Sequence, residues 1–274
     1  MTSIKLDQFT SEISENDILE LEKLAFRLNQ ANVELMISET KGNVEALRVV
    51  TAQVITVCET LAGISILCRP LTLASKNAVS LSRKVYDASL FAAFVCTDPE
   101  NHGNRAKLYS IAHAHQSSIT FAKLSQTFSV KVTAPFTVPP SEELREAKRV
   151  FCKSNGEIRP CFVEDRASQI SAISNLSAQA GTAFSGVEAM VYKKASEITH
   201  GTYASFGISD IEAQVLGKLG YLESVVETCF VACTLSILGL TDAISRIFPE
   251  VETFTSVRSE IIEVFKSREP EAFT

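Results

Sequence analysis

The sequence contains no tryptophan and only 11 glycines among 274 residues. It therefore lacks the turn-rich composition of an all-β protein and favours long helices. No Cys-x-x-Cys occurs. The seven cysteines, Cys58, Cys68, Cys96, Cys152, Cys161, Cys229 and Cys233, are scattered through apolar surroundings. An odd count over this length excludes a disulfide-stapled miniprotein and points to reduced core thiols, hence to a cytoplasmic protein. No run of lysine and arginine stands out, and the formal net charge is −6. That excludes a broad non-specific surface for duplex nucleic acid, though not a local basic pocket. The Gly-x-x-x-x-Gly-Lys-[Ser/Thr] and Gly-x-Gly-x-x-Gly phosphate loops are both missing, so no cofactor is expected. The opening segment, Met1 to Asp7, lacks the apolar stretch of a signal peptide.

Long apolar runs are also scarce. The most apolar uncharged stretch lies between Glu227 and Asp242. It is shorter than the roughly 20 residues a membrane span needs, and it contains Thr228, Thr234 and Ser236. Ala167 to Val187 is longer and uncharged but crowded with Ser, Gln and Asn. Both are read as buried helices, with no membrane contact.

What the chain does contain is helical periodicity, in a sequence 46% hydrophobic and 21% charged, enough to bury a sizeable core. A first helix spans about 14–40 through Ile18, Leu21, Leu24, Leu28, Ala31 and Leu35. Ser14 with Asp17 three residues on opens it, and Gly42 closes it. The second, about Val44 to Cys68, is apolar nearly all round in its second half, which marks it as central; Pro70 ends it. The third runs from about Leu71 to Thr97. Asp98-Pro99 opens the fourth, as an N-cap followed by proline, and its pattern continues through Ile119 and Leu124. Residues 128–140, with Pro135, Pro139 and Pro140, form an extended connector near which two lobes, 1–126 and 141–274, would meet. Helix five spans about 141–153. Asn155-Gly156 then serves as a left-handed helix cap, with a hairpin turn as the alternative, disfavoured by Pro160. Helix six covers about 164–179, the next about 183–206, and helix eight about 210–238. A last segment starts at Asp242 and is interrupted at Pro249. The fold class is all-α, a bundle of about eight helices in one domain.

Chemistry is concentrated in Val191 to Gly201. Tyr192, Ser196 and His200 recur every four residues, so a phenol, an alcohol and an imidazole share one helical stripe. If buried, they need polar partners from another helix. The natural supplier is the third helix, where Arg83 and Asp87 form an i, i+4 pair with Arg69 and Lys84 nearby. Arg83 beside His200 would favour neutral imidazole, and Asp87 would favour imidazolium. Ser196, His200 and Asp87 also supply the residue types of a hydrolase triad, but without a Gly-x-Ser-x-Gly elbow. His113 and His115 are two apart on a helix, about 200° around it, and do not share a metal ion. Cys229 and Cys233 share a face among Phe230, Val231 and Leu235, which fits core residues better than a metal or redox pair.

Arg83-Lys-Val-Tyr-Asp87, followed by Tyr192-x-x-x-Ser196-x-x-x-His200-Gly201, resembles an uncharacterised bacterial family of all-helical proteins. That family carries an Arg-Ser-x-x-Glu helix and, about a hundred residues later, Tyr-x-x-x-Ser-x-x-x-His. The likeness covers about Val44 to Phe206, with Asp87 in place of Glu and Lys84 in place of Ser. It implies a helical fold and a polar site rather than a reaction. More distantly the chain is similar to HEPN helical domains, many of which are metal-independent ribonucleases with Arg-x(4–6)-His on one helix. Here the nearest pairs are Lys194 with His200 and Arg105 with His113, neither matching strictly. Two functions follow. The first is a cytoplasmic helical protein acting by binding or self-association through a polar site of Arg83, Asp87, Tyr192, Ser196 and His200. The second is a HEPN-like, metal-independent ribonuclease of defence or toxin type. In it His200 is the acid/base, Arg83 meets the phosphate, and Tyr192 and Ser196 orient it. RNA would be a partner only in the second.

Overall fold

The computed structural model describes residues 12–38, 43–115, 118–123, 126–131, 141–192 and 217–268. Nine α-helices are present among them. They are α1 Glu12–Ile37, α2 Val44–Cys68, α3 Ala78–Val95, α4 Pro99–Ala114, α5 Ser141–Phe151, α6 Arg166–Leu176, α7 Ala178–Val187, α8 Gly217–Ile247 and α9 Glu252–Arg268. The architecture is an all-α multi-helix bundle with a small hairpin, β1 Ser118–Lys123 and β2 Gln126–Lys131, paired antiparallel with Phe121 opposite Phe128.

The centre is α3 against α8, with α2 on the other side of α3. Helix α3 suits that place because Ala88, Ala92 and Ala93 are all buried, and small side chains let neighbouring helices approach closely. Helix α8 is the longest among the described residues, at 31 residues. Its buried hydroxyls are satisfied within the helix: Thr234 Oγ1 donates to the Phe230 carbonyl at 2.6 Å, and Ser236 Oγ to Ala232 at 2.6 Å. An apolar helix can therefore carry them into the core without orphaned donors. One core cluster extends from Ile18 to Ile261, drawing on helices from both sides of residues 127–140. A smaller cluster of Ala112, Ala147 and Phe151 joins α4 to α5.

Several local expectations are corrected. Ser14 lies inside α1 rather than at its entrance, and Asp17 turns inward to pair with Arg268 of α9. A 3-10 turn, Leu73–Asn77, precedes α3, so the third helix starts later than its periodicity suggests. Asp98 does cap α4 by accepting from the Asn101 amide, but α4 stops at Ala114 and Ile119 falls in β1. The Asn155-Gly156 turn is the hairpin and not the cap. Cys152 bridges Ile158, and the Arg159 amide donates to the Phe151 carbonyl at 2.8 Å, with Gly156 at φ 84°. Pro160 lies just past the last paired residue and so does not interfere. The supposed break before Asp242 is absent, because α8 runs through it to Ile247. Of the connector, residues 128–131 belong to strand β2 and residues 132–140 lie outside the described residues.

Helices α2 and α8 (Leu219–Ile247) are both long and apolar enough to cross a membrane. In the fold, 44% and 72% of their most apolar stretches are buried. Helix α2 is thus not enclosed: Val44, Ile55 and Ile66 face outward.

Candidate functional site

The i, i+4 pair on α3 forms. Arg83 Nε lies 3.6 Å from Asp87 Oδ2, an ion-pair distance. A second guanidinium joins it: Arg166 Nη2 donates to Asp87 Oδ1 at 3.1 Å. Arg166 is the first residue of α6, opened by Asp165, whose carboxylate accepts from the Ser168 amide at 2.8 Å. A cation in the first turn sits at the unfavourable end of the helix dipole, and Asp87 from α3 supplies the compensating charge. The Asp87 side chain is 41% exposed and that of Arg166 39%, so the pair is screened by water and contributes about 1 kcal/mol or less.

Next to Asp87 in sequence, Tyr86 is fully buried. Its hydroxyl donates to Glu188 Oε2 at 2.7 Å, and its ring meets the Phe184 ring at 6.0 Å in an edge-on contact. Burial first, and then the Glu188 carboxylate, raise the Tyr86 phenol far above its usual range. Arg166 acts in the opposite direction. Tyr86 is therefore a hydrogen-bond donor at any physiological pH and not a base.

Glu188 reaches α3 because of a break upstream. Ser177, in an extended conformation, ends α6 and caps α7, its hydroxyl accepting from the Ala180 amide at 3.2 Å. The same hydroxyl donates to the buried carboxylate of Asp242 on α8. Arg258 of α9 faces Asp242 at 3.0 Å and donates to the Gln179 side-chain carbonyl at 2.7 Å. This network pins the α6–α7 corner against α8 and α9. Beyond α7 the chain makes a π-turn, Glu188–Tyr192, an uncommon geometry found frequently at functional sites.

Of the residues singled out in sequence, Arg83 and Asp87 are thus together, at the helix that meets the start of the Tyr192 segment through Tyr86 and Glu188. Tyr192 closes the π-turn, but its side chain lies outside the described residues, as do Lys194, Ser196 and His200 entirely. Arg69 is engaged elsewhere, with Glu22 at 3.2 Å, and Lys84 is exposed. The pair Arg105 and His113 does not act jointly. Arg105 Nε donates to the Cys161 carbonyl and its guanidinium stacks over Phe151, while His113 packs edge-on against Tyr109. His102 has Nδ1 3.0 Å from the Phe94 carbonyl and stacks on that ring. Among the described residues no three His, Cys, Asp or Glu side chains converge as a metal site. All seven cysteines are free thiols. Burial pushes Cys58 up to about 11 and Cys68, Cys96 and Cys161 up to about 12.

An opening of about 610 Å³ lies away from this cluster, between α2 and α4 beside Phe91 of α3, with Glu45, Lys107, Tyr109 and His113 in its wall. Lys107 is held by Glu143 at 2.8 Å and Glu45 at 3.2 Å, which raises its pKa. Its charge is already matched.

Tyr86, Arg166 and Glu188 were not singled out by sequence, yet a signal existed. The uncharged run Ala167 to Val187 is bracketed by Arg166 and Glu188, and both of its ends converge on one turn of α3. Comparison with known proteins returns no matching family model, no matching curated protein and no matching solved structure.

Proposed function

We propose that this is a non-catalytic helical protein of the cytoplasm that acts by binding. Its Arg83–Asp87–Arg166 cluster and Tyr86–Glu188 pair serve as the polar centre that fixes α3 against α6 and the π-turn. The observation carrying this reading is that both ends of the uncharged α6–α7 segment are tied to consecutive positions of one helix, Tyr86 and Asp87. Paired polar groups of this kind specify register in helical bundles. The histidines of the described residues sit on α4 or at its C-cap, and the buried phenol is held protonated. Neither arrangement supplies a poised acid or base at the α3 cluster. Seven free thiols support a reducing compartment.

The test is cleavage of single-stranded RNA in the presence of a chelator, alongside thermal melting, for the wild type, Arg83→Ala, Asp87→Ala and His200→Ala. The expected outcome is no cleavage by any of them, with a lower melting temperature for the α3 variants. Cleavage by the wild type that is lost in Arg83→Ala and His200→Ala at unchanged melting temperature would establish the metal-independent ribonuclease instead.

A further inference from the structure

Helices α1 and α2 form an antiparallel pair. Cys58 of α2 reaches the Ala25 carbonyl of α1, Asn32 reaches the Thr51 carbonyl, and Ser65 and Arg69 meet Glu22. On its other flank α1 is held by α9, through Arg27 with Glu260 and Thr253 with Glu34. The sides of α1 are therefore taken, and what remains exposed is a stripe facing away from the core. The largest side chains of that stripe are apolar, with exposed Lys23 and Gln30 between them. The stripe holds Leu19, Phe26 and Val33 at seven-residue spacing, followed by Ile37, and beside it α2 presents Ile55 and Ile66. Seven-residue spacing is the pattern by which one helix seats against another.

The size of the face fits a protein partner. The six side chains are exposed to between 40% and 76%. Taking roughly 150–200 Å² for a fully exposed large apolar side chain, they offer roughly 600 Å². That apolar area is at the upper limit of patches on monomers, about 600 Å², and with Ala52, Ala62 and the exposed Lys23, Gln30 and Glu59 the face comes near the roughly 800 Å² per partner of a standard stable interface. The charge balance at its Leu19 end argues against a lipid surface, because Glu12, Glu15, Glu20 and Glu22 outnumber Lys23 and Arg69 there and anionic headgroups gain nothing from it.

We propose that a second copy of this chain docks here, about a two-fold axis running parallel to the two helices. Such an axis lays α1 of each copy over α2 of the other at unchanged height. The heights follow from the contacts between α1 and α2, in which position 22 pairs with 65 and 69, 25 with 58 and 32 with 51. Leu19 then faces Ile66, and Phe26 faces the turn between Ile55 and Ala62. Lys23, which also meets Glu20 at 2.6 Å on its own helix, and Glu59 are opposite charges at exposed positions of their helices turned away from the α1–α2 seam. The rotation brings them to the same flank of the interface, twice by symmetry. The face is thus complementary to itself in both shape class and charge.

The test is the mass of the full chain by light scattering or sedimentation at about 100 µM, far above the Kd of a µM dimer. The measurement compares the wild type with Phe26→Glu, Ile66→Glu, Lys23→Glu and Lys23→Glu/Glu59→Lys. The wild type should be a dimer. Phe26→Glu and Ile66→Glu should each be a monomer with an unchanged helical melt, and because they lie on different helices, misfolding of one leaves the other to decide. Lys23→Glu should weaken association by about tenfold or more, and the double reversal should restore it. A wild-type monomer overturns the proposal, as does a dimer indifferent to Phe26 and Ile66. A monomer that co-floats with phosphatidylcholine/phosphatidylserine vesicles and loses this in Phe26→Glu gives the face to lipid instead.

Discussion

Removing the Tyr86 hydroxyl isolates a part-buried hydrogen bond between α3 and the π-turn. Tyr86→Phe keeps the ring and its edge-on contact with Phe184, leaves no cavity worth a methyl group, and deletes the donor 2.7 Å from Glu188 Oε2. A hydrogen bond to a charged acceptor contributes about 1.5–3 kcal/mol. Glu188 is only half-buried, so water recovers part of that, and the expected loss is about 1–2 kcal/mol. For a chain of this size the melting temperature should fall by about 2–5 °C. A double-mutant cycle of Tyr86→Phe with Glu188→Gln, followed by urea unfolding, measures the coupling directly. Alkaline titration gives a second readout. In the unfolded chain a phenol ionises near about pH 10, whereas the folded Tyr86 holds its proton well above that. Its contribution to stability is therefore complete below the unfolded value and is lost as pH rises toward the folded one. The phenolate absorbance of the wild type should include a step that occurs only with unfolding, and that step should shrink by one phenol in Tyr86→Phe. A coupling energy within about 0.3 kcal/mol of zero, with all phenols titrating before unfolding, would refute the contact.

Asp242→Asn leaves Arg258 without its buried counter-charge, and breaking such a pair should cost about 3–5 kcal/mol in denaturant unfolding; a cost below about 1 kcal/mol would mean that the α6–α7 corner is pinned by packing alone. Gly103→Ala places a methyl 2.6 Å from the Ala46 amide nitrogen on α2, so it should destabilise by about 1–3 kcal/mol despite higher helix propensity. A gain in melting temperature would show that α4 can back away from α2. With their pKa values raised by burial, Cys58, Cys68, Cys96 and Cys161 should react slowly with a thiol reagent at neutral pH, and all seven cysteines should react on unfolding in guanidinium. Fast reaction of these four in the native protein would contradict their placement.

How far the fold could be read from the chain depended on whether the deciding signal was local. Helix α2 was bounded correctly because Gly42 and Pro70 stand beside its ends, and Asp98-Pro99 announced α4 for the same reason. The end of α4 was misjudged because Ile111, Ile119 and Leu124 lie at spacings a helix tolerates, while Thr120, Phe121, Thr127, Phe128 and Val130 prefer the pleated pairing that β1 and β2 adopt. Ser177 carries neither Gly nor Pro beside it, and nothing nearby predicts a break there. Its partner, Asp242, lies 65 residues downstream, so the corner between α6 and α7 is a tertiary decision. The candidate site divides along the same line. Arg83 and Asp87 were legible because a helix brings i and i+4 together wherever it sits. Arg166 and Glu188 bracket an uncharged run, and charges at such edges must find counter-charges or water, but which helix supplies them follows only once the Ser177 corner has turned the run back onto α3. The polar centre thus depends on the buried Asp242 network on the far side of α7. Asp242→Asn should accordingly weaken the Tyr86–Glu188 coupling although neither partner is touched, and an unchanged coupling in that background would show that α3 holds the π-turn by itself.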